Sequence, residues 1–198
     1  MTIVHGGLAV AATSAISIDN AHAHGLHLVD AGTPAPTTLT GRLADFVANA
    51  RFDRPTLVMD LDAVAERYRL LAAALNPAHI HYAVKANPAP QLLARLAAEG
   101  SNFDVASRGE IEQCLALGIP AARLSYGNTI KRRADIAFAA AAGVTMFAFD
   151  SEAELTKLAD VAPNTTVYCR VLVDGTGAEW PLGKKFGCAD QMAEELLV

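Results

Sequence analysis

Lys85 ends the run His79-Ile80-His81-Tyr82-Ala83-Val84-Lys85 and is the residue whose type and placement best suit covalent chemistry. Side chains alternate along a strand, so Ile80, Tyr82 and Val84 share one face while His81, Ala83 and Lys85 share the other. The bulky face suits helices, which leaves Lys85 pointing inward. A lysine amine with an ordinary pKa of about 10.4 loses part of its preference for the ammonium form when burial or nearby cations disfavour the charge, and such amines form Schiff bases with carbonyls. From spacing alone the plainer reading is favoured, a lysine that reaches solvent at the strand end.

Asp104 and Glu110 flank the next strand-to-helix junction, Phe103-Asp104-Val105-Ala106-Ser107-Arg108-Gly109-Glu110. Asp104 is placed to orient or charge-balance a site. Glu110 has an equal claim as the acid of a capping box begun by Ser107. Arg170 falls within Thr166-Val167-Tyr168-Cys169-Arg170-Val171-Leu172-Val173, with Val167, Cys169, Val171 and Val173 on the opposite face. It therefore faces the interior, where a guanidinium demands an acidic partner or an anionic ligand. Asn87, Asn128 and Asp150 also follow strands, and each is a ready turn or cap residue. Cys114 and Cys169 read as core residues, and Cys188 has no histidine at motif spacing, which argues against a thiol nucleophile.

The elements that must position these residues follow a regular rhythm from Pro55 onward. Short apolar runs at Leu57-Val58-Met59, Ile80 to Val84, Phe103-Asp104-Val105, Leu124-Ser125-Tyr126, Met146 to Phe149 and Val167 to Val173 predict six strands. Between them, helices are predicted over Asp62 to Leu75, Pro90 to Ala98, Gly109 to Leu117, Lys131 to Ala141 and Ser151 to Asp160, with another beginning near Asp190. Ser107 with Glu110 and Ser151 with Glu154 fit capping boxes, and Gly100, Gly118 and Gly143 each close an Ala/Leu-rich stretch. The alternation predicts a parallel sheet with right-handed crossovers. No Gly-rich signature follows the first strand, which disfavours an open nucleotide-binding sheet and leaves a barrel, whose functional side chains sit at the carboxyl ends of strands.

Composition narrows the class further. With 198 residues, 52% of them hydrophobic and a net charge of −5, the chain fits one soluble domain with a sizeable core. Lys131-Arg132-Arg133 is the one basic cluster, so nucleic acid is not an expected partner. No apolar run reaches the roughly 18 residues of a membrane span. Three scattered cysteines without a C-x-x-C pair indicate neither a disulfide framework nor a zinc site, and a cytoplasmic setting is expected. Before Arg42 there is no Lys or Arg, and Ala21-His22-Ala23 only weakly resembles a signal-cleavage site. Residues 1–50 are expected to form an irregular or swapped extension, in which His5, His22, His24 and His27 are polar residues rather than metal ligands.

Five blocks in order carry a resemblance: Tyr82-Ala83-Val84-Lys85-Ala86-Asn87; Phe103-Asp104-Val105-Ala106-Ser107 with Glu110-Ile111; Tyr126-Gly127-Asn128-Thr129-Ile130-Lys131; Phe149-Asp150-Ser151-Glu152; and Lys185-Phe186-Gly187. Together they resemble the fold-type III pyridoxal-phosphate decarboxylases, nearest the ornithine decarboxylase family. The resemblance overturns the solvent reading of Lys85. It implies a partial (β/α)8 TIM-like barrel of the alanine racemase and ornithine decarboxylase type, lacking the C-terminal β domain, over residues 51–198. Alanine racemases are disfavoured because the residues after their lysine differ from Asn87-Pro88-Ala89-Pro90.

The resemblance further implies that Lys85 holds pyridoxal 5'-phosphate through a Schiff base. Asp104 and Glu110 match acidic positions near that bond, and Arg170 matches an inward arginine beside the cofactor. The family reaction removes the α-carboxylate of an amino acid, here expected to be L-ornithine giving putrescine, with lysine and meso-diaminopimelate as alternative substrates. Lys185 matches a lysine that pairs with an acid of the second subunit in a homodimer. The family's histidine-bearing strand, Gly-rich phosphate loop and C-terminal β domain would follow Val198. The chain is thus expected to be a truncated form, and a non-catalytic fragment or interaction module is the competing expectation.

Overall fold

The computed structural model describes residues 2–4, 41–173, 177 and 185–197. The histidines at positions 5, 22, 24 and 27 and the small-residue sequence at 21–23 lie outside the described residues. The contacts divide the chain into two compact units, one ending at Asp60 and the other beginning at Leu61.

In the first unit, β1 (Thr2–Val4) pairs antiparallel with β2 (Leu57–Met59), placing Thr2 opposite Met59 and Val4 opposite Leu57. Helix α1 (Gly41–Asn49) lies between them in sequence. This corrects the six-strand expectation: Leu57–Met59 is a strand, but its partner is β1 and not the parallel sheet. A three-residue apolar run predicts extended backbone without specifying the direction or identity of its neighbour.

The second unit alternates strand and helix as predicted. Helix α2 (Leu61–Ala74) leads to β3 (His81–Ala83), α3 (Pro90–Ala98), β4 (Asn102–Val105), α4 (Arg108–Ala116), β5 (Leu124–Tyr126), α5 (Arg133–Ala141), β6 (Met146–Phe149), α6 (Glu152–Val161), β7 (Thr166–Cys169) and α7 (Asp190–Leu197). The five strands β3 to β7 pair in sequence order, all parallel, which is the progression of a β/α barrel wall. Among the described residues, no helix is long and apolar enough to cross a membrane.

The two faces of this sheet differ sharply. Phe103, Val105, Leu124, Tyr126, Phe147 and Phe149 are buried with the helix residues Leu93, Ile111, Ile136 and Leu158, and this is the core. His81, Ala83, Asp104, Ser125, Ala148 and Tyr168 line a cavity of about 580 Å³ on the other face. Strand alternation thus sends large apolar residues toward the helices and smaller or polar ones toward the barrel axis.

Helix ends follow the local rules. The Ser107 and Ser151 hydroxyls accept from the N–H groups of Glu110 and Glu154 at 3.3 and 3.4 Å. Gly100, Gly118 and Gly143 close their helices with φ of 93, 76 and 96°. Arg123 caps the end of α3 from a distance, donating to Ala97 O and Ser101 O at 3.0 Å.

Candidate active site

Lys85 reaches the site through a 3-10 turn, Val84–Ala86, that begins where β3 ends. The expected strand through Val84 is therefore shorter, and the turn sets the direction of Lys85. Tyr82 Oη donates to Asn87 O at 3.3 Å, and Ala89 N–H donates to Asn87 Oδ1 at 3.1 Å, so Asn87 fastens the turn ahead of α3. Val84 is fully buried. Lys85 is exposed and lines a second cavity, of about 240 Å³, with Asp104, Gly127, Asn128, Arg170, Lys185 and Phe186.

Asp104 projects from β4 at the floor of both cavities. Burial pushes its carboxyl above the ordinary 3.8, against the opposing pull of the charges on Lys85 and His81. Gly127 makes room for it. A Cβ at Gly127 would lie 2.7 Å from Asp104 Cγ, closer than any real side chain tolerates. Spacing gave Gly127 no function; its signal is the juxtaposition of two neighbouring strands.

Arg170 follows β7 directly, and its N–H makes the last ladder bond, to Phe149 O at 2.8 Å. The expected strand to Val173 ends here because the chain changes partner. Cys188 N–H donates to Arg170 O at 3.0 Å, and Leu172 N–H donates to Cys188 O at 2.8 Å. This crossing brings Lys185 and Phe186 to the site, with the Arg170 guanidinium 5.5 Å from the centre of the Phe186 ring. Arg170 faces the cavities as expected but is exposed, so the burial cost that demanded an acidic partner does not arise.

Glu110 has a local structural task. Its Oε2 accepts from Ala106 N–H at 2.6 Å while Ser107 caps α4, so in this structure its carboxylate serves the helix start. The structure brings Lys85, Asp104 and Arg170 together around one cavity, and the charge of Glu110 adds to the upward push on the Asp104 carboxyl. Asp150 accepts from Gly187 N–H at 2.9 Å, which anchors the Lys185–Phe186 segment to the end of β6. Asn128 makes a turn contact, donating to Ile130 O at 3.0 Å.

A second lysine at a strand end has an opposite fate. Lys131 is buried, donating to Ala148 O at 2.6 Å and Asn128 O at 2.9 Å and pairing with Glu154 Oε1 at 3.0 Å. Burial lowers its pKa, and Glu154 partly restores it. The expected helix start at Lys131 moves to Arg133 because Lys131 is drawn into this network.

An accessible primary amine, a neighbouring carboxyl and a cation around one cavity are the donor set that an anionic aldehyde cofactor requires. Residues 61–198 match the family described as "Pyridoxal-dependent decarboxylase, pyridoxal binding domain". The lysine/ornithine decarboxylase of Selenomonas ruminantium is 39% identical over 147 residues, covering 74% of this chain and 37% of the relative. The chloroplastic ornithine decarboxylase of Nicotiana glauca is 41% identical over 146 residues, covering 73% and 34%. A crystal structure of an SrLDC mutant in complex with PLP aligns with a TM-score of 0.73 at 36% identity, covering 80% of this chain and 41% of that one. The chain spans about a third of the length of the curated relatives it matches.

Proposed function

Because this chain belongs to the pyridoxal-dependent decarboxylases, whose pyridoxal-binding domain it matches over residues 61–198, we propose that it supplies the lysine-bearing part of an enzyme that decarboxylates a basic amino acid, with L-ornithine as substrate and putrescine as product. The observation that carries this reading is the Lys85 amine, exposed at the carboxyl end of β3 in one cavity with Asp104 and Arg170.

Each side chain has a task in that reading. Lys85 offers an amine to a carbonyl and is free to do so, since its turn is held by Asn87 rather than by the lysine itself. Asp104, raised by burial, keeps a proton to higher pH than an ordinary carboxyl and orients the groups above it. Arg170 supplies the positive charge that an anionic ligand needs. Phe186 offers a flat apolar wall beside it. When bound, pyridoxal phosphate supplies the electron sink that accepts the pair released as carbon dioxide leaves. Ornithine is preferred because relatives bearing that activity match at 39 and 41% identity, with lysine the alternative that the first of them also acts on. A homodimer, with Lys185 facing an acid of the second subunit, completes the proposal.

The test is incubation of the chain with pyridoxal phosphate, borohydride reduction and peptide mass analysis. The reading expects a reduced adduct on Lys85 that is absent from Lys85→Ala. An unlabelled wild-type chain, or label on Lys185 instead, refutes it. Decarboxylation assays with ornithine and lysine on an active form then decide the substrate.

A further inference from the structure

Cys169 closes β7, and Cys188 lies in the segment that crosses beside it, with Val171 and Cys188 forming a parallel bridge. Their sulfur atoms are 3.4 Å apart. Cys188 is buried, and Cys169 is half-buried and lines the larger cavity. The backbone around them is tied on both sides. Two hydrogen bonds join Arg170 and Leu172 to Cys188, and Asp150 holds Gly187. Gly187 has φ of 111°, and a Cβ there would lie 3.0 Å from the backbone of Val171 and Leu172, so the crossing is close by construction.

We propose that Cys169 and Cys188 are an oxidative modification site, a dithiol that closes to a disulfide and staples the Lys185–Phe186–Gly187 segment to β7. Closure moves the sulfurs together by about 1.4 Å, from 3.4 Å to the disulfide length. The oxidant is a peroxide. One sulfur attacks an oxygen, the O–O bond breaks, and a sulfenic acid and one water form. The second sulfur displaces the hydroxyl as a second water, forming the S–S bond. Two thiols are oxidised by two electrons, and one peroxide is reduced to two waters.

The consequence is local to the cavity. Lys185 and Phe186 are part of its wall, together with Lys85 and Asp104. The disulfide fixes that wall covalently, whereas in the dithiol form it is held by hydrogen bonds and packing. Cys114, a buried residue of α4, has no such sulfur neighbour among the described residues and serves as an internal control. This inference rests on the sulfur geometry and not on the role proposed for Lys85, so either can fail without the other.

The experiment treats the 198-residue chain with a small excess of hydrogen peroxide, then unfolds, alkylates and digests it for mass analysis. The expected result is a linked Cys169–Cys188 peptide two hydrogens lighter than its parts, with Cys114 alkylated, and full recovery of both thiols after dithiothreitol. Amide hydrogen exchange across residues 185–189 slows several-fold in the oxidised chain and is unchanged by peroxide in Cys188→Ser. If a hydroxyl at that buried position prevents folding, Cys169→Ser gives the same control. Separate alkylation of Cys169 and Cys188 after treatment, linkage to Cys114, or a linked peptide without slower exchange overturns the proposal.

Discussion

The buried pair Lys131–Glu154 offers a stringent stability test because the charges have almost no water. Their side chains are 0 and 4% exposed, and Nζ lies 3.0 Å from Oε1. At an effective dielectric constant of 20, unit charges at that separation attract by about 5.5 kcal/mol. That is an upper bound on the coupling. Lys131 also donates to two backbone carbonyls, and Lys157, 26% exposed, pairs with the other oxygen of Glu154. Glu154→Gln keeps the shape and removes the charge, leaving a buried ammonium with carbonyl partners only. We expect a loss of about 3 kcal/mol, the lower end of the range for breaking a buried pair. With a urea slope near 2 kcal/mol/M, the midpoint falls by about 1.5 M. Lys131→Met removes the ammonium but orphans the carbonyls of Asn128 and Ala148, so it also costs stability. Combining the two isolates the charge interaction, and the coupling should be about 2 to 3 kcal/mol. Raising the pH should narrow the gap between Glu154→Gln and wild type, because an unpaired Lys131 sheds its proton more easily. Additive single losses, with coupling below about 0.5 kcal/mol, would refute the argument.

Three further tests probe the site and its frame. Gly127→Ala should destabilise the chain by about 1 to 3 kcal/mol through its clash with Asp104, and Asp104→Ala in the same chain should recover most of the loss in a denaturant titration; no recovery means that the crowding lies elsewhere. Asp104 itself sets a pH signature. Its folded pKa is raised above 3.8, so its stabilising contribution is complete below that value and is lost as pH rises through the folded pKa. Unfolding free energies between pH 3 and 7 should therefore fall for wild type relative to Asp104→Asn, and parallel curves count against a desolvated carboxyl. Ser151→Ala removes the α6 cap and should cost about 1 kcal/mol, with Glu154 left in place; thermal unfolding reads the loss, and a change within error would assign that helix start to packing alone.

Local patterns in the sequence carried the frame and stopped where partners are chosen. Pro90–Ala98 appears as a helix with the bounds read from its pattern, because Pro at its first position and Gly100 beyond its end are local signals. The serine caps and the alternation that sends Phe103 outward and Asp104 inward are local too. The partner of Leu57–Met59 was not legible, since pairing with Thr2–Val4 is a contact between distant stretches of chain. The end of β7 depended on Cys188, nineteen positions on, competing for the backbone of Arg170. Gly127 as the space for Asp104, and the burial of Lys131, likewise arise only when neighbouring strand ends meet.

Lys85 and Lys131 show why residue type at a strand end does not by itself name a chemical role. Both follow strands of the same parallel sheet, β3 and β5, and both sit in blocks that resemble one family. Lys131 is buried among two carbonyls and a carboxylate, so its nitrogen is engaged and out of reach of a ligand. Lys85 is carried by a turn whose hydrogen bonds belong to Asn87 and Tyr82, so the amine is positioned without being consumed. Asp104 lies near enough to influence it, yet burial spends part of that carboxyl's charge by raising its pKa. The amine that can react is the one whose surroundings fix its backbone while sparing its nitrogen. Moving the network of Lys131 to position 85 would make a stable strand end and tie up the amine that the proposed function needs.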